Sequence, residues 1–187
     1  MKEIEVLVKI NDSKEKTLQI LKQFTVHDIK RTADIYFYDP LRIDLQAETS
    51  GRLRRSFRLR EKGGEALLTY KVDHFDSADR WIYSDEHETT AGNFETLLHI
   101  IQSLGFQELV RIDSEKHIFA TPEYNIIFED VKNLGFFLEV ENIHEVSDQK
   151  VMQTKEKIHF FIRGLGLKVS EELNAGKPEL MLAKRYK

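Results

Sequence analysis

The 187 residues include no cysteine, which excludes disulfides, cysteine-based zinc centres and thiol nucleophiles at once. No run of about 18 apolar residues occurs either, so no membrane-spanning helix is expected. The opening MKEIEVLVKI carries charge and an alternating pattern with no apolar leader core, so no signal peptide is expected and the cytoplasm is the expected location. A strong excess of one charge is also missing. The net charge of -4 gives no overall pull toward nucleic acid or an anionic membrane, and neither is expected as a partner. No internal repeat or low-complexity linker appears, and the seven histidines form no HExxH or close ligand pair. What is present is 41% hydrophobic and 32% charged residues, a soluble globular composition on the charged side. Residues 1–187 are expected to form one domain with a real core.

Ile4, Val6, Val8 and Ile10 alternate as one face of a strand, with Glu3, Glu5, Leu7 and Lys9 opposite. Asp12 or Ser13 can then cap a helix carrying Leu18, Leu21 and Phe24. An aromatic strand, DIYFYDP (34–40), ends at a proline. Residues 52–75 read as two strands joined by a Gly63-Gly64 turn, and 80–90 as the next strand. Phe94, Leu97, Leu98, Ile101 and Leu104 share a helical face that stops at Gly105. Three short strands are expected around Leu109–Ile112, Lys116–Ala120 and Tyr124–Glu129, then a fourth at 135–143. A helix opens at Ser147, carries Ile158, Phe161, Ile162 and Leu165 and closes near Gly164 or Gly166, and one or two short helices follow from Ser170 to Lys187. About eight strands with mostly hairpin connections give an α+β class and an antiparallel sheet, open or closed into a barrel.

Several strands repeat the charged face of the first. Glu139 and Glu141 share a face with Phe137, Arg58 and Arg60 lie opposite Phe57 and Leu59, and Thr69 pairs with Lys71. Residues i and i+2 of a strand lie roughly 6.5–7 Å apart on the same side. Charge on a strand is ordinarily a solvated outer face, and patterning does not say which face closes inward. If these faces meet, gathered carboxylates call for a cation, and hard oxygen donors suit Mg²⁺ or Mn²⁺. Arginine forks and a lysine beside such an ion form apparatus for phosphoryl transfer.

In this setting the motifs resemble those of the CYTH proteins, also called triphosphate tunnel metalloenzymes, which include class IV adenylate cyclases and thiamine triphosphatases. Glu3 and Glu5, followed imperfectly by Leu7 and Lys9, match the opening Glu-x-Glu-x-Lys strand. The aromatic strand from Asp34 through Tyr36 and Phe37 to Asp39 matches its counterpart. Phe57-Arg58-Leu59-Arg60 and Leu68-Thr69-Tyr70-Lys71 match two further signatures. The most specific match is FEDVKNLGFFLEVE (128–141), in which Glu129, Val131, Leu134, Gly135, Phe137, Glu139 and Glu141 fill the family pattern in order. In length and motif style the chain is similar to the class IV cyclase-like branch.

The resemblance implies a closed eight-stranded antiparallel tunnel with helices outside. It implies metal binding by Glu3, Glu5, Glu129, Glu139 and Glu141, and triphosphate binding by Lys9, Arg58, Arg60, Lys71, Arg80 and Lys116. Catalysis falls to Glu139, Glu141 and Lys71, as conversion of ATP to cyclic AMP and pyrophosphate, as hydrolysis of thiamine triphosphate or tripolyphosphate, or as binding without turnover. A homodimer is expected by family analogy alone. The chain departs from the pattern at Leu7, where the family has a lysine, and at Ser114 and Lys116, which align with a Lys-x-Arg pair. Ile82 and Ser84 interrupt acids that resume at Glu86 and Glu88, and the usual C-terminal Ser-Tyr pair is replaced near Lys177-Pro178. Each lost charge-assisted contact is worth roughly 1.5–3 kcal/mol.

Other signals have plainer readings. RLRRSFRLREK (52–62) could pass for a nucleic-acid patch, but Arg58 and Arg60 are better used in the tunnel, with Arg52, Arg54 and Arg55 on a loop or rim. Trp81 and the aromatic strand read as packing, and the helix around Ile158 as docked on the sheet.

Overall fold

The outward faces of the strands, not their inward ones, carry the main hydrophobic core. The computed structural model describes residues 2–62 and 65–185, so the Gly63-Gly64 turn lies outside the described residues. Among these, ten strands form one antiparallel sheet: β1 (Lys2–Glu3), β2 (Glu5–Ile10), β3 (Thr25–Tyr38), β4 (Arg55–Lys62), β5 (Glu65–Phe75), β6 (Trp81–Asn93), β7 (Gln107–Ala120), β8 (Tyr124–Val131), β9 (Gly135–Asn142) and β10 (Val169–Glu172). Their spatial order is β1-β6-β5-β4-β3-β7-β8-β9-β2-β10. Four α-helices accompany them: α1 (Lys14–Leu21), α2 (Phe94–Ser103), α3 (Val151–Gly164) and α4 (Lys177–Arg185).

The first strand is where the expected closed barrel needs correction. β1 bonds β6 through Lys2↔Asp85 and Glu3↔Ser84, whereas β2, after a break at Ile4, bonds β9 from Glu5↔Glu141 to Lys9↔Phe137. Consecutive residues thus reach both sides of the curled sheet, but the ladder is not closed by hydrogen bonds, and its two ends are β1 and β10. The α+β class and the antiparallel pairing stand as expected.

Two segments differ from the sequence reading. β3 begins nine residues before the aromatic strand; its early half pairs with β7 (Thr25↔Ala120 to Ala33↔Asp113), with Val26 and Ile29 exposed and Asp28 and Lys30 at the cavity. The two short strands expected within 109–120 are one strand, β7. Ser114, between them, is buried and shares a hydrogen bond with buried Thr32 at 3.2 Å. The tail holds a strand, β10, as well as a helix.

Helices cover the apolar outer faces. Ile4, just before β2, and Val6, Val8 and Ile10 of β2 pack with Leu21 of α1 and with Val151, Ile158 and Ile162 of α3. Ile35, Phe37, Leu59 and Ala66 pack beneath Phe94 and Ile101 of α2. Ser13 caps α1, its hydroxyl accepting from the Lys16 amide at 3.3 Å, and Asn93 caps α2. Gly135 starts β9 at φ +97, a left-handed conformation that side chains disfavour, and so permits the tight turn from β8. The third cluster is different: Leu7, Tyr36 and Ile112 from the inner side, with Phe137, gather around Met181 and Leu182 of α4. α4 therefore seats against the inner side of the sheet. No helix among the described residues is long and apolar enough to cross a membrane.

Candidate active site

With Ile4, Val6 and Val8 turned out toward α1 and α3, the alternation of β1 and β2 turns Glu3, Glu5 and Leu7 inward. The same logic on β4, β5, β8 and β9 turns Arg58, Arg60, Thr69, Lys71, Glu129, Glu139 and Glu141 to the same side. All of these line one cavity of about 420 Å³. Its described lining holds eleven carboxylates against seven lysines and arginines, so the wall is charged throughout and acidic in balance.

The charges are sorted into pairs. Arg60 clasps Asp34 with two parallel bonds, both 2.7 Å, and Asp34 is only 4% exposed. Burial would raise the Asp34 carboxyl, but Arg60, with help from Arg58 and Lys116, drives it well below the usual range. Arg58 reaches Glu88 at 3.1 Å and Thr69 at 2.9 Å, and its buried Nε has no hydrogen-bond partner among the described residues. The Lys71 ammonium lies 2.5 Å from Glu3, 3.3 Å from Glu5 and 3.7 Å from Glu86. Lys116 lies 3.5 Å from Glu129. Lys177, the first residue of α4, bonds both Glu129 and Glu139, the latter at 2.5 Å.

These partners divide the carboxylates into two groups. Burial pushes Glu3 and Glu139 up, but Lys71 and Lys177 respectively outweigh it and hold each at about 2. Glu5 rises well above the usual value through burial and through its neighbours Glu139 and Glu3, against the pull of Lys71. Glu86 and Glu141 both rise to about 7, through burial and through Glu3 beside each of them. A carboxylate forced up in this way lowers stability when it ionises. As pH climbs from about 4.5 to about 7 the folded chain holds a proton on Glu86 that the unfolded chain has lost, so stability declines across that window. Glu86→Gln is expected to remove this contribution, at most about 2–3 kcal/mol, flattening the pH profile of urea unfolding between those limits. An unchanged profile would refute it.

The donor chemistry fits a hard divalent cation. Glu3, Glu5, Glu129, Glu139 and Glu141 supply only carboxylate oxygens, and Glu5 and Glu141 are left short of positive charge. Among the described residues no three of these acids are placed to hold one ion; Lys71 gathers Glu3 and Glu5, and Lys177 gathers Glu129 and Glu139. The wall also fits an anion: Arg58 has an unused buried donor, and Lys116 is held below its ordinary value by burial.

Nine of the eleven expected site residues line the cavity, but Lys9 and Arg80 do not. Lys9 is the one exposed residue of β2, opposite Phe137 and beyond the α4 seat, where its amide donates to Ser170 Oγ at 2.9 Å. Arg80 sits in the turn between β5 and β6, 72% exposed, its guanidinium on Asp76 at 2.8 Å. A tight turn stapled by the Asp76 carboxylate to the amides of Ala78 and Arg80 carries that side chain away from the lumen. Sequence reasoning missed Asp34, Glu86 and Lys177. The signal for Lys177 was the Lys-Pro-Glu run, since proline is tolerated in a helix's first turn and Glu179 accepts there from the Gly176 amide at 2.5 Å.

Comparison with known proteins places this geometry in a family. The CYTH domain model matches residues 1–174. The Methanocaldococcus jannaschii protein named "Putative adenylate cyclase MJ0240" is 31% identical over 162 residues, covering 84% of this chain and 87% of that protein. Among solved structures, PH1819 from Pyrococcus horikoshii superposes with a TM-score of 0.81 at 21% identity, covering 98% of this chain and 99% of that one. A Hippeastrum protein, named "Putative adenylyl cyclase HpAC1" and described as having a dominant triphosphatase activity, superposes with a TM-score of 0.66 at 14% identity, covering 97% and 96%. These two superpositions show the fold alone.

Proposed function

The chain belongs to the CYTH family, and from that premise we propose that it is a metal-dependent enzyme acting on a triphosphate held in the β-walled lumen. In this reading the curled sheet functions as a tunnel, with β1 and β2 spanning its seam. The observation that carries the proposal is the mixed wall, in which buried glutamates short of cations stand beside buried arginines and lysines around one cavity.

Glu3, Glu5, Glu129, Glu139 and Glu141 would hold Mg²⁺ or Mn²⁺. When bound, such an ion neutralises phosphate oxygens and orients the chain of phosphates. Arg58, Arg60, Lys71 and Lys116 bind the triphosphate oxygens. Arg58 offers its free Nε, and Arg60 has to share its fork with Asp34. Lys71 lies between the two walls and neutralises charge that builds on the transferred phosphoryl group, with Glu139 and Glu141 as the carboxylates nearest the chemistry. In the cyclase reading the ribose 3'-hydroxyl attacks the α-phosphorus of ATP and pyrophosphate leaves. The relative at 31% identity supports that reading by its name.

A second reading is hydrolysis of a triphosphate with little or no base, such as tripolyphosphate or thiamine triphosphate. One observation favours it. Arg52 and Arg54 stack on Phe75 at 4.6 and 4.8 Å, and Lys71 and Lys155 approach Trp81 at 5.6 and 4.8 Å, so these two rings at the cavity are already engaged by cations. A cytoplasmic protein that acts on a small molecule, as a homodimer and without nucleic acid or membrane, completes the proposal.

The test is product release from ATP, GTP, thiamine triphosphate and tripolyphosphate with Mg²⁺ or Mn²⁺. Cyclic nucleotide with pyrophosphate is the result expected of a cyclase, and orthophosphate alone that of the second reading. No product from any of the four would overturn catalysis.

A further inference from the structure

Lys177 holds two of the acids expected to bind the ion. Its ammonium bonds Glu129 on β8 and Glu139 on β9, and the three side chains are 12%, 2% and 15% exposed. It is not a residue of the sheet. It enters from α4, whose Met181 and Leu182 share a buried cluster with Leu7. Leu7 is also the residue that faces Glu139 in the β2–β9 register. One position therefore denies Glu139 a cation from its own neighbouring strand and provides the apolar seat for the helix that brings one.

We propose that Lys177 is a tethered counter-ion: it occupies Glu129 and Glu139 when no divalent cation is there, the ammonium and the ion exclude one another, and ion binding frees the first turn of α4. The inference rests on the reading of these glutamates as ion donors. A small divalent ion needs carboxylate oxygens in direct contact at about 2.0–2.1 Å for Mg²⁺, the side of the oxygens the ammonium now takes. The ammonium brings one charge to two carboxylates, with Lys116 3.5 Å from Glu129 and felt at Glu139 as well, whereas a divalent ion brings two charges into direct contact with the same oxygens.

The remaining ties of α4 do not depend on Lys177. Glu179 accepts from the Leu53 amide at 2.9 Å, and the Asn174 side chain accepts from the Trp81 amide at 2.7 Å and donates to the Asp79 carbonyl at 2.8 Å. Displacing Lys177 thus loosens the helix start without releasing the segment that leads into it.

Two measurements on the full chain, at fixed pH and without triphosphate, test this. Mn²⁺ binding is followed by the electron paramagnetic resonance of the free ion, in the wild type and in Lys177→Met. The variant is expected to bind at least ~10-fold more tightly or to take up one more ion, since a competing cation has gone. In the wild type, amide exchange across residues 177–181 is expected to accelerate several-fold when Mn²⁺ is added. Mn²⁺ binding that is the same in both proteins, or exchange that Mn²⁺ leaves unaltered, would overturn the inference while leaving the ion site in place. Failure of either protein to bind Mn²⁺ would overturn the metal reading and this inference with it. The exchange measurement needs no variant, so the proposal stays testable if Lys177→Met does not fold.

Discussion

Asp34→Ala is expected to destabilise the protein by about 3–5 kcal/mol, a large part of the roughly 5–15 kcal/mol that holds a domain folded. Asp34 is 4% exposed, and both of its oxygens are taken by Arg60 at 2.7 Å, with Arg58 at 3.9 Å. Truncation leaves the Arg60 guanidinium buried among Arg58, Lys116 and other cations with its main counter-charge gone. Changing both members of a buried pair is far milder than removing one. Asp34→Ala combined with Arg60→Leu is therefore expected to recover at least ~2 kcal/mol of the single-variant loss. Urea unfolding of the single and double variants measures both, and a loss below about 1 kcal/mol in Asp34→Ala would show that the pair does not carry the load assigned to it.

Replacing Glu139 and Glu141 together by glutamine is expected to lower triphosphate turnover at least ~10²-fold, the usual scale for deleting one well-placed electrostatic contact. The amide keeps the volume and shape of the acid and removes only its charge. The two positions start from opposite states, Glu139 at about 2 beside Lys177 and Glu141 at about 7 beside other acids. Loss of charge should thus reduce ion binding at both and relieve repulsion at Glu141. Turnover is read with whichever triphosphate gives product, and circular dichroism confirms the fold of the variant. Undiminished turnover in a folded double variant would remove the Glu-x-Glu strand β9 from the chemistry.

Much of this site was legible because a half-buried strand leaves a period-two trace. Glu3, Glu5, Arg58, Arg60, Lys71, Glu139 and Glu141 alternate with apolar residues whose outward packing fixes the opposite face. That logic fails where the face is not continuous. Lys9 has the right parity, but at its level the lumen has given way to the α4 seat, and its side chain is exposed. Arg80 follows a turn, where parity has no meaning. Lys177 was illegible for another reason: a lysine on a helix reaches a sheet's interior only through tertiary docking, which no local period records. Asp34 could be read as part of an aromatic strand, but its partner Arg60 lies 26 residues away, and the pairing is visible only once β3 and β4 are in register. The early half of β3 was missed because Asp28 and Lys30 present polar groups to the cavity while Val26 and Ile29 are exposed, which leaves no apolar alternation to read.

The arrangement of the first strand has a consequence for the order in which the protein is made. Glu5 meets Glu141, and Lys2 meets Asp85, so residues 2–10 have no sheet partner until at least 80 further residues are synthesised, and none on the β9 side until about residue 141. While the ribosome is still producing the middle of the chain, the acids of β1 and β2 remain hydrated and separate, at no energetic penalty. Glu3 first meets an opposing acid, Glu86, when β6 has emerged, Glu5 meets Glu139 and Glu141 only with β9, and Lys177, the cation that relieves Glu139, is translated later still. The charged lumen is therefore a late product of biosynthesis, completed together with the core that β2 shares with α3, since Val151, Ile158 and Ile162 also follow β9 in the chain.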